Sequence, residues 1–281
     1  MEVRRFDDVA AFFAHAAPFL ERREAEHNLI LGLRARLLRD RHAFGDEDPY
    51  LASVESEGRV VAVGFRTPPF AFGLSCVDDE GAVDALVDDV RGVELSGVFG
   101  PVAAAERFAS RWRDLTGVEA RVALSERIYE AREAFPPTGV PGAHRAYEPR
   151  DHDVAAAWMD AFVAEALHGP EPESSAEFVD RRNEDPDGGL VIWDDGQAVS
   201  MAGFGGRTPN GIRIGPVYTP PELRGRGYAS ALTAALTQRL LDEGRQFCFL
   251  FTDLANPTSN SIYQRIGYRP VSDVDLWRFS G

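Results

Sequence analysis

The sequence predicts an α/β protein made of two tandem copies of one plan, and three observations carry that prediction. Apolar residues switch repeatedly between helical spacing and strand-like alternation. The order of elements over residues 1–132 recurs over residues 144–279, a period near half of the 281-residue chain. Between the copies stands Phe135-Pro136-Pro137-Thr138-Gly139-Val140-Pro141-Gly142, a run of turn formers. The boundary is therefore expected between residues 140 and 141. Each half is long enough to bury a core of its own.

In the first copy, residues 3–6 read as a short strand. Residues 9–41 read as helix, with Phe12, Phe13, Phe19, Leu20, Leu29, Ile30, Leu33, Leu37 and Leu38 at helical spacing and a break at Pro18 or in the Glu-rich stretch after it. Strands over 50–54 and 60–66 flank a tight connection, and a further strand covers 71–77. A helix over 81–91, a strand over 95–99, a helix over 102–116 stopped by Gly117, and a long strand over 118–132 complete the copy.

The second copy repeats the order. A strand over 144–147 precedes helices over 154–167 and 174–183, the latter opened by a capping box of Ser174 and Glu177. Strands over 189–193 and 198–204 flank Asp194-Asp195-Gly196-Gln197, a hairpin turn. A strand over 212–219, a helix ending at Gly244, a doubly apolar strand over 246–253, a helix over 259–266 and a strand over 274–279 follow.

Composition narrows the partners. The chain has 30 basic residues, all Arg, against 45 acids, for a formal charge of −15. Residues 1–140 carry 17 Arg and 25 acids, and residues 141–281 carry 13 and 20, so the acidity is spread and not a tail. That balance disfavours nucleic acid and anionic membranes as partners and is compatible with a cationic amine. Cys76 and Cys248 lie in separate apolar segments, which fits neither a disulfide framework nor a metal site; Cys248 reads as a small buried strand residue. The six His show no ligand clustering. The acidic, interrupted N-terminal stretch and the lack of a bilayer-length apolar run make a cytoplasmic location the expectation.

The chemistry concentrates in residues 215–244. After Gly215-Pro216-Val217-Tyr218-Thr219 and the pair Pro220-Pro221 comes Arg224-Gly225-Arg226-Gly227-Tyr228-Ala229-Ser230, then a helix. Glycines let backbone approach a ligand closely. Amides at a helix N-terminus lack helical acceptors and sit at the positive end of the dipole, which suits a pyrophosphate. Arg224 and Arg226 add formal charge. A Walker A loop is excluded because the chain has no Lys, and a dinucleotide G-x-G-x-x-G fails at Ser230.

What remains is Gln/Arg-x-x-Gly-x-Gly/Ala, met by Arg224, Gly227 and Ala229. Downstream, Asn256-Pro257-Thr258-Ser259-Asn260-Ser261-Ile262-Tyr263-Gln264-Arg265-Ile266-Gly267-Tyr268 satisfies N-x-x-S-x-x-x-Y-x-x-x-G-[FY]. Together these motifs resemble the two signatures of the GCN5-related N-acetyltransferases, over about residues 143–281. The resemblance implies two tandem acetyltransferase-like domains, each a mixed, mainly antiparallel sheet flanked by helices. It implies acetyl-CoA as co-substrate and direct attack by a primary amine of a small molecule or peptide.

The same resemblance implies roles. The strand bulges at Gly215-Pro216 and parts from its neighbour; pantetheine pairs with the backbone of Val217, Tyr218 and Thr219, and an amide of Val217 or Tyr218 polarises the thioester carbonyl. Gly225, Arg226, Gly227, Tyr228, Ala229 and Ser230 hold the pyrophosphate. Asn256 and Asn260 either steady the pantetheine or cap a helix. Tyr263 donates a proton to the departing thiolate. The family has no fixed general base; Glu165, His168, Glu171 and Glu173 are the carboxylates and imidazole near the expected substrate entry.

The first copy lacks these features. Asp78-Asp79-Glu80-Gly81 stands where the phosphate turn belongs, and three carboxylates repel a pyrophosphate. Residues 1–140 are therefore expected to be a degenerate copy with a structural or substrate-shaping role. Two other functional classes fit the motifs: a non-catalytic acyl-CoA sensor, and an aminoacyl-type transferase with two such domains, which the net acidity disfavours.

Overall fold

The computed structural model describes residues 1–166 and 173–280. The chain divides into two compact units, Met1–Arg127 with Ser272–Gly281, and Ile128–Val271. The first unit contains β1 (Glu2–Arg5), α1 (Val9–Leu20), α2 (Asn28–Arg39), β2 (Tyr50–Ser56), β3 (Arg59–Arg66), β4 (Phe72–Leu74), α3 (Gly81–Asp89), β5 (Gly97–Pro101) and α4 (Val102–Thr116). Strand β6 (Glu119–Ala131) leaves it, and most of the last strand, β12 (Arg269–Ser280), returns to it. The strand order is β1-β2-β3-β4-β5-β12. Only β4 and β5 run parallel; β12 lies antiparallel to β5 with Leu276 opposite Phe99.

Helix α1 begins where the Asp8 carboxylate accepts the Ala11 N–H at 2.9 Å, and it runs through Pro18 without ending. The break in the expected long helix falls in the Glu-rich stretch, over residues 21–27, where the buried His27 ring bonds the Leu20 carbonyl at 2.8 Å and so satisfies one of the orphan acceptors at the helix end. Its other ring nitrogen accepts the Cys76 N–H at 3.1 Å. The proton therefore sits on Nδ1. Two apolar cores fill the unit: Phe12, Phe13, Ile30 and Leu51 lie in one, and Phe72, Leu86, Phe108 and Trp112 in the other.

The second unit holds β7 (Ala143–Ala146), α5 (His152–Ala166), α6 (Ser175–Glu184), β8 (Gly189–Asp194), β9 (Ala198–Gly205), β10 (Gly211–Tyr218), α7 (Tyr228–Asp242), β11 (Phe247–Asp253) and α8 (Pro257–Arg265). Its strand order is β6-β11-β10-β9-β8-β7; β10 and β11 run parallel, and β10 with β9, β9 with β8 and β8 with β7 run antiparallel. The predicted capping box is present: Ser174 Oγ accepts the Glu177 N–H at 3.3 Å, and Glu177 Oε2 accepts the Ser174 N–H at 2.8 Å. Ile212, Ile214, Leu232, Cys248 and Leu250 form the core beneath α7. Met159, Val179, Ile192, Met201 and Tyr218 form the core beneath α5 and α6. The last residue of the helix expected over 154–167 lies outside the described residues.

The expected boundary at 140/141 needs correction. Residues 128–140 belong with the second unit, and residues 272–281 belong with the first. Each copy in sequence has its own final strand, yet β12 completes the sheet of the first unit. Strand pattern reveals that a strand exists; its partner is set by long-range pairing that a local window does not encode.

Candidate active site

The site begins with an irregularity in β10. Its pairing with β9 matches Ile214 to Phe204 and then Val217 to Ala202, so residues Gly215 and Pro216 form a bulge. Gly215 has φ 147°, a conformation that favours glycine. Pro216 cannot donate to a ladder, which a bulge tolerates. On β9, Gly203 makes room for this bulge: a Cβ there would lie 2.8 Å from the Gly215 carbonyl oxygen and 3.0 Å from Pro216 Cδ. The ladder with β11 pairs Gly211–Arg213 with Phe247–Phe249 and, among the described residues, goes no further. Beyond Arg213, among the described residues, the two parallel strands are no longer paired toward their carboxyl ends.

The turn after β10 presents donors. Gly225 (φ 78°) and Gly227 (φ 87°) are both left-handed, and Gly227 caps α7 without a side-chain bond. The first amide of this stretch with an acceptor is that of Ala231, bonded to the Gly227 carbonyl at 2.9 Å. Among the described residues, the N–H groups of residues 225–230 have none. The first turn of α7 contains no acid to occupy them. Val140 packs over Gly227, where a Cβ would come within 2.9 Å of its Cγ2.

Several predicted residues reach this place with their backbones while their side chains are committed elsewhere. The Arg224 guanidinium does not face the turn. Its Nε donates to the Thr219 carbonyl at 2.9 Å, its Nη2 pairs with Glu165 at 2.7 Å, and it lies over the Tyr218 ring at 5.6 Å. Its charge is thus balanced by Glu165. Arg226 is exposed, with a 3.4 Å bond to the Glu222 carbonyl. The Tyr228 side chain is buried and donates to Asp195 at 2.7 Å. Tyr218 is buried against the α5 side and donates to Glu165 at 3.3 Å. Burial first, and the Glu165 charge second, raise its phenol above the ordinary tyrosine value. Thr219 Oγ1 shares a 2.8 Å bond with Ser200, whose hydroxyl also donates to the Tyr218 carbonyl. Ala229 and Ser230 lie in the first turn of α7.

Helix α8 starts at the carboxyl end of β11. Asn256 is its cap, accepting the Ser259 N–H at 3.0 Å. Asn260 donates to the Asp253 and Asn256 carbonyls, both at 2.8 Å, and accepts the Tyr129 hydroxyl at 3.0 Å. Both asparagines therefore build the strand–helix junction, so the helix-cap alternative describes their side chains. Tyr263 differs. It is half-buried, edge-on to Tyr268 at 5.9 Å, and among the described residues its hydroxyl has no hydrogen-bond partner. Burial pushes its phenol up to about 12, so it holds its proton at neutral pH. Gly267 (φ 111°) lets the chain pass close to the Glu133 carbonyl oxygen, 2.5 Å from where a Cβ would sit.

Of the expected base candidates, Glu165 pairs with Arg224 and Glu173 with Arg181. His168 and Glu171 lie outside the described residues. Cys248 is fully buried, as expected of a small strand residue, and burial pushes its thiol up to about 12. Sequence reading missed Gly203, Ser200 and Tyr129. No motif marks them, since each acts on residues 12 to 135 positions away in the chain.

The matching place in the first unit is closed to anions. Asp79 accepts the Gly81 N–H at 3.0 Å, Asp78 pairs with Arg22 at 2.7 Å, and Glu80 pairs with Arg107 at 3.3 Å. The turn before α3 thus supplies its own negative groups.

Bulge, unpaired strand ends and open turn lie within a stretch that matches a family model described as the Acetyltransferase (GNAT) family, over residues 152–268. Residues 152–268 belong to the GNAT acetyltransferase family. A mycothiol acetyltransferase of Paenarthrobacter aurescens is 30% identical over 155 residues, covering 50% of this chain and 47% of its own length. The chain thus spans about half the length of the curated relatives it matches. A GCN5-related N-acetyltransferase from Sphaerobacter thermophilus has a similar fold, with TM-score 0.59 and 19% identity over 98% of this chain and 95% of that one. A tandem GNAT protein from the clavulanic acid biosynthesis pathway does too, with TM-score 0.59 and 12% identity over 99% and 98%. The tandem GNAT fold therefore extends over the whole chain. Among the described residues no helix is long and apolar enough to cross a membrane.

Proposed function

We propose that the second unit transfers the acetyl group of acetyl-CoA to a primary amine of a small molecule or peptide. The observation that carries this reading is the run of acceptor-free amides over residues 225–230 beside strands that are no longer paired. Amides at a helix N-terminus suit the diphosphate, and Gly225 and Gly227 let it come close. The unpaired stretch beyond Arg213 would take the pantetheine arm along Val217, Tyr218 and Thr219. An amide at the bulge would stabilise the tetrahedral oxyanion. Tyr263, protonated and unpartnered, would donate to the leaving thiolate. Arg224 acts through its ion pair with Glu165 and so positions the turn without touching phosphate. The first unit is a degenerate copy that binds no acetyl-CoA of its own.

The test is thermal denaturation with and without acetyl-CoA, followed by thiol release with a panel of amines. A ligand at a hundred times its Kd stabilises by about 2.7 kcal/mol, so a clear rise in Tm is expected. No shift would remove the donor site. A shift without thiol release from any amine would leave a sensor in place of an enzyme.

A further inference from the structure

Helix α8 carries Tyr263 but has little of its own to hold it in place. It is nine residues long and none of them is fully buried. A helix that short is marginal without outside support. The Tyr263 hydroxyl has no hydrogen bond among the described residues to fix it. Where that hydroxyl points therefore depends on where the helix sits.

A phenol on β6 supplies the support. Tyr129 is fully buried, in the same core as Ile266 and Tyr268. Its hydroxyl donates to Asn260 Oδ1 at 3.0 Å and accepts from Gln264 Nε2 at 3.0 Å. Asn260 and Gln264 are four residues apart, so they share one face of α8. One hydroxyl thus spans a full helical turn, as donor at one end and acceptor at the other, and Tyr263 lies inside that turn. Six residues beyond Tyr129, the Phe135 N–H donates to the Ile266 carbonyl at 3.0 Å. That bond satisfies an orphan acceptor at the end of α8. Residues 129–135 therefore hold both the inner face and the last turn of the helix. A Phe at position 129 would fill the core equally well. A buried hydroxyl is costly unless it is bonded, and here, among the described residues, both of its bonds go to α8.

We infer that Tyr129 is a positioning residue for acyl transfer: its hydroxyl fixes α8 and so aims the Tyr263 phenol at the departing sulfur. The inference rests on the reading of Tyr263 as proton donor given above. A displacement of about 1 Å at a reacting group can cost about 100-fold in rate, so the loss of one clamping atom is enough to be measured. Tyr129 acts through Tyr263 and not on the substrates.

The experiment is a double-mutant cycle in the full chain, read as kcat and KM for acetyl-CoA with an amine that supports thiol release. Tyr129→Phe keeps the ring and removes both bonds. It should lower kcat about tenfold, while KM for acetyl-CoA and the acetyl-CoA rise in Tm stay as in wild type. In a Tyr263→Phe background the same change should cost less than twofold in kcat. A role confined to stability would give the same factor in both backgrounds. That result, or an unchanged kcat in Tyr129→Phe, would overturn the inference and leave Tyr263 in the mechanism. Should Tyr129→Phe not fold, Gln264→Ala removes one of the two bonds from the exposed side of the helix. A loss of about threefold that vanishes in Tyr263→Phe upholds the inference; no loss, or one that persists there, rejects it. If Tyr263→Phe alone leaves turnover unchanged, the reading of Tyr263 fails and the inference falls with it. If no amine releases thiol although acetyl-CoA stabilises the protein, the transferase reading fails and takes both.

Discussion

A phenol and an imidazole show how burial sets the chemistry of single residues. Tyr263 is held at about 12, so it stays protonated through the working range and serves only as a donor. Tyr263→Phe should lower kcat by about 100-fold, the lower end for general acid catalysis, and leave acetyl-CoA stabilisation intact. Unchanged turnover would take Tyr263 out of the chemistry. In wild type, no loss of rate below about pH 11 should trace to this group. His27 is the reverse case, since burial pushes its imidazole down to about 4. An unfolded histidine titrates near 6.5, so between those values the unfolded chain binds the extra proton. The contribution is fully present above about pH 6.5 and is lost as pH falls toward 4, to a total of about 3 kcal/mol. Tm should therefore fall between pH 7 and pH 5. His27→Gln should lower Tm at pH 7 and flatten that acid slope; an equally steep slope in the variant would assign it to other groups.

At the scale of elements, the site depends on two breaks in regular structure. The bulge in β10 and the left-handed turn before α7 each remove backbone partners that a continuous strand or helix would have supplied. Gly227→Glu puts a side chain against Val140 and a carboxylate among the open amides. It should abolish the acetyl-CoA shift in Tm, and retention of normal affinity would show that the diphosphate binds elsewhere. Gly203→Ala tests the bulge from the neighbouring strand. Its methyl meets the Gly215 carbonyl and Pro216, so it should cost about 1–3 kcal/mol by overpacking and weaken acetyl-CoA binding. If the variant binds as wild type does, the bulge is not part of the donor site.

On the scale of the whole chain, the final strand is the part that repeat logic misassigns. β12 runs beside β5 from Val274 opposite Pro101 to Arg278 opposite Gly97, and its Phe279 stacks on Trp112 at 6.1 Å. Ser125 donates to Asp275 at 2.6 Å, and Arg127 pairs with Asp273. Removing residues 272–281 should therefore destabilise residues 1–127, although they lie at the other end of the sequence. Limited proteolysis should show early cleavage within 1–127 in the truncated chain. Equal resistance of both chains would mean that β12 contributes little.

Local outcomes are legible in the residues alone: the α/β order, both signatures, the capping box at Ser174, the acidic turn before α3, and the bulge implied by Gly215-Pro216. These follow from residues within a few positions of one another, where φ preferences, missing donors and charge act directly. Long-range outcomes emerge only in the folded chain. Arg224 turns to Glu165, Asn260 meets Tyr129, Gly203 opens space for the bulge, and β12 finishes the other unit's sheet. The physical reason is that a side chain's charge balance and a strand's hydrogen-bond partner are set by groups that folding brings near, and neither leaves a periodic trace in the chain.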